Sequence, residues 1–161
     1  MTNYSPAIQA LLGDGTRLAD LGPGSPDLSK KSSLLAFDPL RDLGPVKDPA
    51  MAKLCHAGLW LYFDFLDESH VISQDVETPT GSFWHAIVHR REPDPGNSKY
   101  WWRRVGNHPV LANLPDPFAF VDRCEKARGT GSAEEAECQR QQRAEWHALF
   151  EYCFQNAISN G

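Results

Sequence analysis

The stretch from Leu54 to Asp75, LCHAGLWLYFDFLDESHVISQD, constrains the fold of this chain most strongly. Its apolar side chains cover most of the circumference of a helix, as follows: Leu54, Leu59, Leu61, Phe63, Phe65 and Leu66. Such a helix is buried on nearly all sides. Asp48 followed by Pro49 is a helix start signal, because the aspartate accepts a free backbone amide and proline has none to satisfy. We therefore predict a buried central helix from Pro49 to about Gln74.

The composition is that of a globular domain. The chain has 161 residues, of which 41% are hydrophobic and 23% are charged, and this length suits one domain. No apolar run reaches the roughly 18 uncharged residues that a membrane span requires. The N-terminus lacks the basic and apolar regions of a signal peptide, so we expect a cytoplasmic protein without a membrane segment. We predict a single domain over 1–161.

The first 47 residues differ in composition from the rest of the chain. Residues 4–12 have the spacing of a short amphipathic helix that ends at Gly13. From Asp14 to Pro49 the chain is rich in Gly, Pro, Ser and Asp, which predicts an irregular wrap. Its apolar residues are too frequent for a free linker, so we expect them to lie on the helical body: Leu34, Leu35, Phe37, Leu40, Leu43 and Val46.

Two further helices are predicted after the central one. Ser82 is a good N-cap for a helix that ends by Glu92, because Pro93 disfavours helical geometry in the residue before it. Residues 94–97 are predicted as a break. A short third helix should follow from Ser98 and stop at Gly106.

A helical hairpin is predicted at the C-terminal end. Asp116 and Pro117 start one helix, which stops at Gly129, and Ser132 with Glu135 forms a capping box for the last helix. Cys124 and Cys138 lie at similar distances from the hinge, so they are expected close together, as free thiols or as a disulfide. The fold class is thus all-α: an irregular helical bundle with a buried central helix, a His-bearing partner helix and this hairpin, on a body that spans 48–161.

Polar residues on the two middle helices form the candidate site. His56, Asp64, Asp67 and His70 recur at helical spacing on the central helix, and on the next helix His85, His89 and Glu92 share a face. The connection is short, so the helices should be antiparallel neighbours.

Facing histidines on neighbouring helices predict a metal site. Imidazoles at i and i+4 suit one divalent ion, and a third His with a carboxylate completes the ligands while leaving room for water. The predicted metal ligands are His70, His85, His89 and Asp67. Of these, His70, His85 and Asp67 would carry catalysis, either as a His-Asp pair that exchanges protons or as a metal-assisted hydrolase or lyase-like enzyme.

A basic and aromatic segment follows the histidines. Its arginines could hold a carboxylate or phosphate by paired hydrogen bonds, and a tryptophan could stack on an aromatic ring. The predicted ligand-binding residues are Arg90, Arg91, Arg103, Arg104 and Trp101. The net charge of -5 argues against general nucleic-acid binding. We therefore expect a small anionic ligand as the partner.

The sequence is also compatible with a protein that has no catalytic site. Buried polar groups need partners whatever the function. The same His, Asp and Arg residues would then form an internal network in a non-catalytic scaffold or protein-interaction module. Sequence motifs do not distinguish an enzyme from a scaffold, because the chain lacks a phosphate-binding loop, a dinucleotide fingerprint, a nucleophile elbow and an H-E-x-x-H motif.

The middle of the chain resembles a family of hypothetical proteins that share W-H-x-I-x-H-R-R-E-P-D and Y-W-x-R-R-V-G. The matching residues are the run from Trp84 to Pro109 together with DESHVISQD from Asp67 to Asp75. The resemblance implies that this segment is the defining part of the family. It implies no reaction, cofactor or partner, and the N-terminal wrap and the last hairpin lie outside it.

Overall fold

The computed structural model describes residues 2–15, 17–18 and 20–158. The helices are α1 (Pro6–Leu12), α2 (Lys31–Ala36), α3 (Pro49–Tyr62), α4 (Leu66–Gln74), α5 (Pro79–Arg91), α6 (Pro95–Val105), α7 (Pro117–Ala127) and α8 (Ala133–Ala157). Short 3-10 helices span Leu28–Lys30 and Pro109–Asn113. The described residues form no β-sheet, and one antiparallel bridge joins Val46 to Ile158. The all-α prediction is confirmed.

Helix α3 is the core element, as the apolar pattern predicts. Asp48 accepts a hydrogen bond from the backbone N–H of Met51, and Pro49 occupies the first turn. Leu54, Leu59 and Leu61 have at most 1% of their surface exposed. Because α3 packs against α4, α5 and α8, most of its sides are buried, and Lys53 is exposed.

The prediction of one continuous helix to Gln74 is wrong, because the chain breaks between α3 and α4. Asp64 has φ +68°, a left-handed conformation that aspartate tolerates better than most residues. Its carboxylate accepts hydrogen bonds from Arg91 at 2.7 Å and from Arg17 at 2.8 Å. The break therefore separates His56 and Asp64 from the helix that carries Asp67 and His70.

Two helix starts lie upstream of their predicted positions. Helix α5 is capped by Thr78, which accepts from the N–H of Gly81, and not by Ser82. Helix α6 is capped by Asp94, so the predicted break over residues 94–97 is wrong. In both cases a capping side chain directly precedes a proline, the same signal that starts α3.

The N-terminal segment is more regular than predicted. Helix α1 lies within the predicted residues 4–12 and begins after the cap Ser5, but α2 and a 3-10 turn occupy part of the predicted wrap. Leu34, Phe37 and Leu43 are buried. Leu35 and Leu40, by contrast, are 65% and 53% exposed. The wrap therefore contacts the body through only some of its apolar residues.

The C-terminal hairpin has the predicted caps, Asp116 for α7 and Ser132 for α8. Cys124 and Cys138 lie in one buried cluster with Leu21 and Phe120, which ties the hairpin to the N-terminal segment. Both are free thiols. Within the described ranges, no helix is long and apolar enough to cross a membrane.

Candidate metal centre

Side-chain hydrogen bonds to backbone carbonyls fix the helices around the site. Ser69 of α4 donates to the carbonyl of Ala57 in α3 at 2.8 Å, and Ser98 of α6 donates to the carbonyl of Ala86 in α5 at 2.7 Å. All four residues are buried. These bonds hold α4 against α3 and α6 against α5.

Three histidines converge between α4 and α5. His70 comes from α4 and His85 and His89 from α5, and one ring nitrogen of each lies within 4.8 Å of the others. The ring centroids are 4.5 Å apart for His70 and His85, 4.8 Å for His85 and His89, and 5.3 Å for His70 and His89. His70 is half-buried, and the other two are buried. A single ion could contact all three rings after small side-chain adjustments.

His85 is the most enclosed member of the group, at 3% exposure. Its Nδ1 is buried and has no hydrogen-bond partner among the described residues. Burial, together with the neighbouring rings of His70 and His89, lowers the pKa of His85 from 6.5 to about 3. The ring is therefore neutral at pH 7. A neutral imidazole is the form that binds a metal.

His89 has a carboxylate partner. Its Nδ1 lies 2.9 Å from Oε2 of Glu92, one helical turn further along the chain. Because Nδ1 is engaged in this contact, Nε2 is the nitrogen of His89 that remains for a ligand.

Trp101 of α6 closes one side of the group. Its ring stacks on that of His85, with centroids 3.8 Å apart and an angle of 20° between the planes. The guanidinium of Arg104 lies 5.3 Å from the centroid of Trp101. Of the predicted ligand-binding residues, Trp101 is thus in direct contact with His85, and Arg104 lies beside Trp101.

Asp67, predicted as a metal ligand and catalytic residue, is not brought into the three-histidine group. It is exposed in the first turn of α4, where the helix dipole favours an acidic side chain. It lines a surface cavity of about 240 Å³ together with Glu68 and Glu92. The carboxylate that contacts a member of the group is that of Glu92, which contacts His89, and its signal in the sequence is the spacing His89-x-x-Glu92.

Arg90 and Arg91 do not face a ligand site. Arg90 donates to both carboxylate oxygens of Glu145, at 2.9 and 2.7 Å, and to Gln142. Arg91 donates to Asp64 and to the backbone carbonyl of Gly22. Both guanidinium groups are fully buried.

These two arginines therefore stabilise the fold, and the prediction that they bind a ligand is not supported. Arg103 and Arg104, in contrast, are exposed. His56 also has a structural role, since its Nε2 lies 2.8 Å from the carbonyl of Leu34.

Comparison of the chain with protein-family models, curated proteins and solved structures returned no match. The assignment of function therefore depends on the geometry of the three histidines and their surroundings.

Proposed function

We propose that the protein binds one divalent transition-metal ion through His70, His85 and His89. The observation that carries this proposal is the buried, unpaired Nδ1 of His85 within a group of three imidazoles. A buried polar atom without a partner costs roughly 1–3 kcal/mol. A bound ion would give the group a common partner and offset that cost.

The ligand set favours a particular class of metal. Imidazole suits zinc, copper, iron and nickel, whereas magnesium and calcium prefer oxygen. Three histidines in a tetrahedral zinc site leave the fourth position to water, as in catalytic sites. His70 is the most exposed of the three, so this position would be reached from its side.

Such a site would support metal-assisted hydrolysis. A bound zinc ion lowers the pKa of its water to about 7 and thereby generates a nucleophile at neutral pH. We propose a small anionic substrate, because Arg103 and Arg104 are exposed on α6 and neither forms an ion pair within the described part of the chain. Arg104 lies beside Trp101, which contacts the proposed ligand His85.

Metal analysis tests the proposal. We expect purified protein, dialysed against Zn²⁺ and then against metal-free buffer, to retain one equivalent of zinc by elemental analysis. His85→Ala and His89→Ala should lose it, because each removes one of three ligands. His147→Ala is the matched control, since His147 is exposed on α8, away from the group.

Two outcomes would contradict the proposal: wild-type protein without stoichiometric metal, or a His147→Ala variant that loses metal as the other variants do. In the first case the histidines would be part of an internal network, as in the scaffold alternative. His89→Ala would then lower stability without any loss of metal.

A further inference from the structure

We infer that Glu92 is a positioning residue that holds His89 in the tautomer and orientation required for metal binding. This inference rests on the proposed metal function. It concerns a residue outside the ligand set, Glu92, whose carboxylate contacts His89, one of the three proposed ligands.

The hydrogen bond to Glu92 selects the tautomer of His89. A carboxylate only accepts hydrogen bonds, so the contact of 2.9 Å between Oε2 of Glu92 and Nδ1 of His89 requires a proton on Nδ1. In a neutral imidazole the lone pair is then on Nε2. Nε2 therefore becomes the metal-binding nitrogen, and the negative charge of Glu92 increases its basicity.

The backbone of Glu92 is fixed by the helix end. Glu92 follows Arg91, the last residue of α5, and its N–H donates to the carbonyl of Val88. Its side chain is 31% exposed, and that of His89 is 11% exposed. The pair is thus partly shielded from water, so salt screens the electrostatic part of this contact less than on an open surface.

No other cation competes for Glu92 within the described ranges. Arg90 and Arg91 are its neighbours in sequence, but their guanidinium groups bind Glu145 and Asp64. Among the described residues, the side chain of Glu92 has one hydrogen-bond partner, Nδ1 of His89. Its charge is therefore available to His89 alone, as expected for a residue that orients a metal ligand.

Cobalt binding measures this effect directly. Co²⁺ is titrated into the full-length protein, and the visible absorption of the complex reports both the affinity and the ligand geometry. We expect Glu92→Ala to weaken Co²⁺ binding by about 10–100-fold, the usual effect of losing such a partner, and to alter the spectrum. Glu92→Gln should recover part of the affinity, because its amide oxygen still accepts from Nδ1.

Asp67→Ala is the matched control. It removes the same charge from the same cavity, but Asp67 lies outside the three-histidine group. We expect its Co²⁺ affinity and spectrum to equal those of the wild type. Thermal unfolding of the metal-free variants checks that each is folded, and Glu92→Gln provides the comparison if Glu92→Ala does not fold.

The outcomes separate the two proposals. If Glu92→Ala kept the wild-type Co²⁺ affinity and spectrum, the positioning role would be overturned and the metal site would stand. An equal loss of affinity in Asp67→Ala would have the same consequence, because it would indicate general charge attraction. A wild-type protein that does not bind Co²⁺ or Zn²⁺ would overturn the metal site and the positioning role together.

Discussion

Gly81 lies where α5 passes closest to the turn that precedes it. A Cβ at this position would be 2.0 Å from the backbone oxygen of Val76, an atom that cannot move without shifting the chain. We expect Gly81→Ala to lower the free energy of unfolding by about 1–3 kcal/mol or more, as overpacking does, measured by urea denaturation. The same Cβ would also lie 3.2 Å from the backbone oxygen of Ser73 in α4.

Gly96→Ala is the control for this prediction. Gly96 is in α6, and nothing lies within 4 Å of its Cβ position. Alanine is the better helix former, so the free energy of unfolding should be unchanged or higher. Equal destabilisation by the two substitutions would contradict a steric cause at Gly81.

The burial of His108 predicts that the stability of the protein depends on pH. It is 5% exposed, accepts from the N–H of Val110 through Nδ1, and places Nε2 2.9 Å from the hydroxyl of Thr80. Burial lowers its pKa below the ordinary value of 6.5. As pH falls, His108 therefore takes up a proton in the unfolded chain before it does so in the folded protein. Neutral His108 contributes to stability above pH 6.5, and this contribution is lost as pH falls towards the folded-state pKa.

We expect the free energy of unfolding of metal-free protein to decrease from pH 7 to pH 5. One proton contributes at most about 1.4 kcal/mol per pH unit. His108→Asn should reduce this slope, because it removes one group with a lowered pKa. Denaturant titrations at several pH values measure the slope, and an identical slope in the variant would assign the effect to other residues.

The sequence does not show which arginines are buried in ion pairs and which are exposed. Arg90 and Arg91 are adjacent, and nothing local distinguishes them from the exposed Arg103 and Arg104. Their carboxylate partners come from α8 and from the turn before α4, and tertiary packing alone brings these together. The pattern of charges along the chain therefore could not distinguish guanidinium groups in buried ion pairs from those exposed to a ligand.

At the scale of elements, the helix caps were largely predictable and the break in the core was not. Asp48, Asp116 and Ser132 cap helices as their sequences predict, because capping is a local interaction. The apolar pattern, however, continues without interruption from α3 into α4. Long-range contacts of Asp64 with Arg91 and Arg17 accompany the break, and they have no local signature.

Asp64→Asn tests what holds this break. Asparagine tolerates a positive φ about as well as aspartate, so the substitution removes the charge and retains the conformation. It leaves the fully buried guanidinium of Arg91 without a carboxylate. We expect a loss of about 3–5 kcal/mol in the free energy of unfolding, typical of breaking a buried ion pair.

The control for Asp64→Asn is Arg17→Gln. Arg17 contacts the same carboxylate, but one third of its side chain is exposed, so its loss should have a much smaller effect on stability. If Asp64→Asn costs no more than Arg17→Gln, the ion pair with Arg91 does not hold the break.

At the scale of the whole molecule, the convergence of His70, His85 and His89 was predictable from two features. The i, i+4 spacing places His85 and His89 on one face, and the short connection makes α4 and α5 neighbours. The sequence predicts Asp67 as the carboxylate because it lies three residues before His70, on the same helix face. Since α4 begins at Leu66, Asp67 falls in an exposed first turn and Glu92 takes the contact with His89.

The burial of all four cysteines predicts that the folded protein protects its thiols from reagents. Cys55, Cys124, Cys138 and Cys153 are all 0% exposed. Burial raises the pKa of Cys124 and of Cys153 to about 12, and the thiolate is the reactive form. We expect a thiol reagent at pH 8 to label native protein only as fast as the protein unfolds.

Mass spectrometry after timed labelling would measure these rates. All four cysteines should become labelled together when denaturant is added. Rapid labelling of Cys124 or Cys138 in native protein would show that the hairpin opens independently of the core.

The stacking of Trp101 on His85 also gives the molecule an optical reporter. Trp101 is half-buried, whereas Trp60, Trp84, Trp102 and Trp146 are buried. The indole of Trp101 lies 3.8 Å from the ring of His85, a proposed metal ligand, so a paramagnetic ion such as Cu²⁺ bound there would quench its fluorescence. The emission of Trp101 would then follow occupancy of the histidines in real time, without a label.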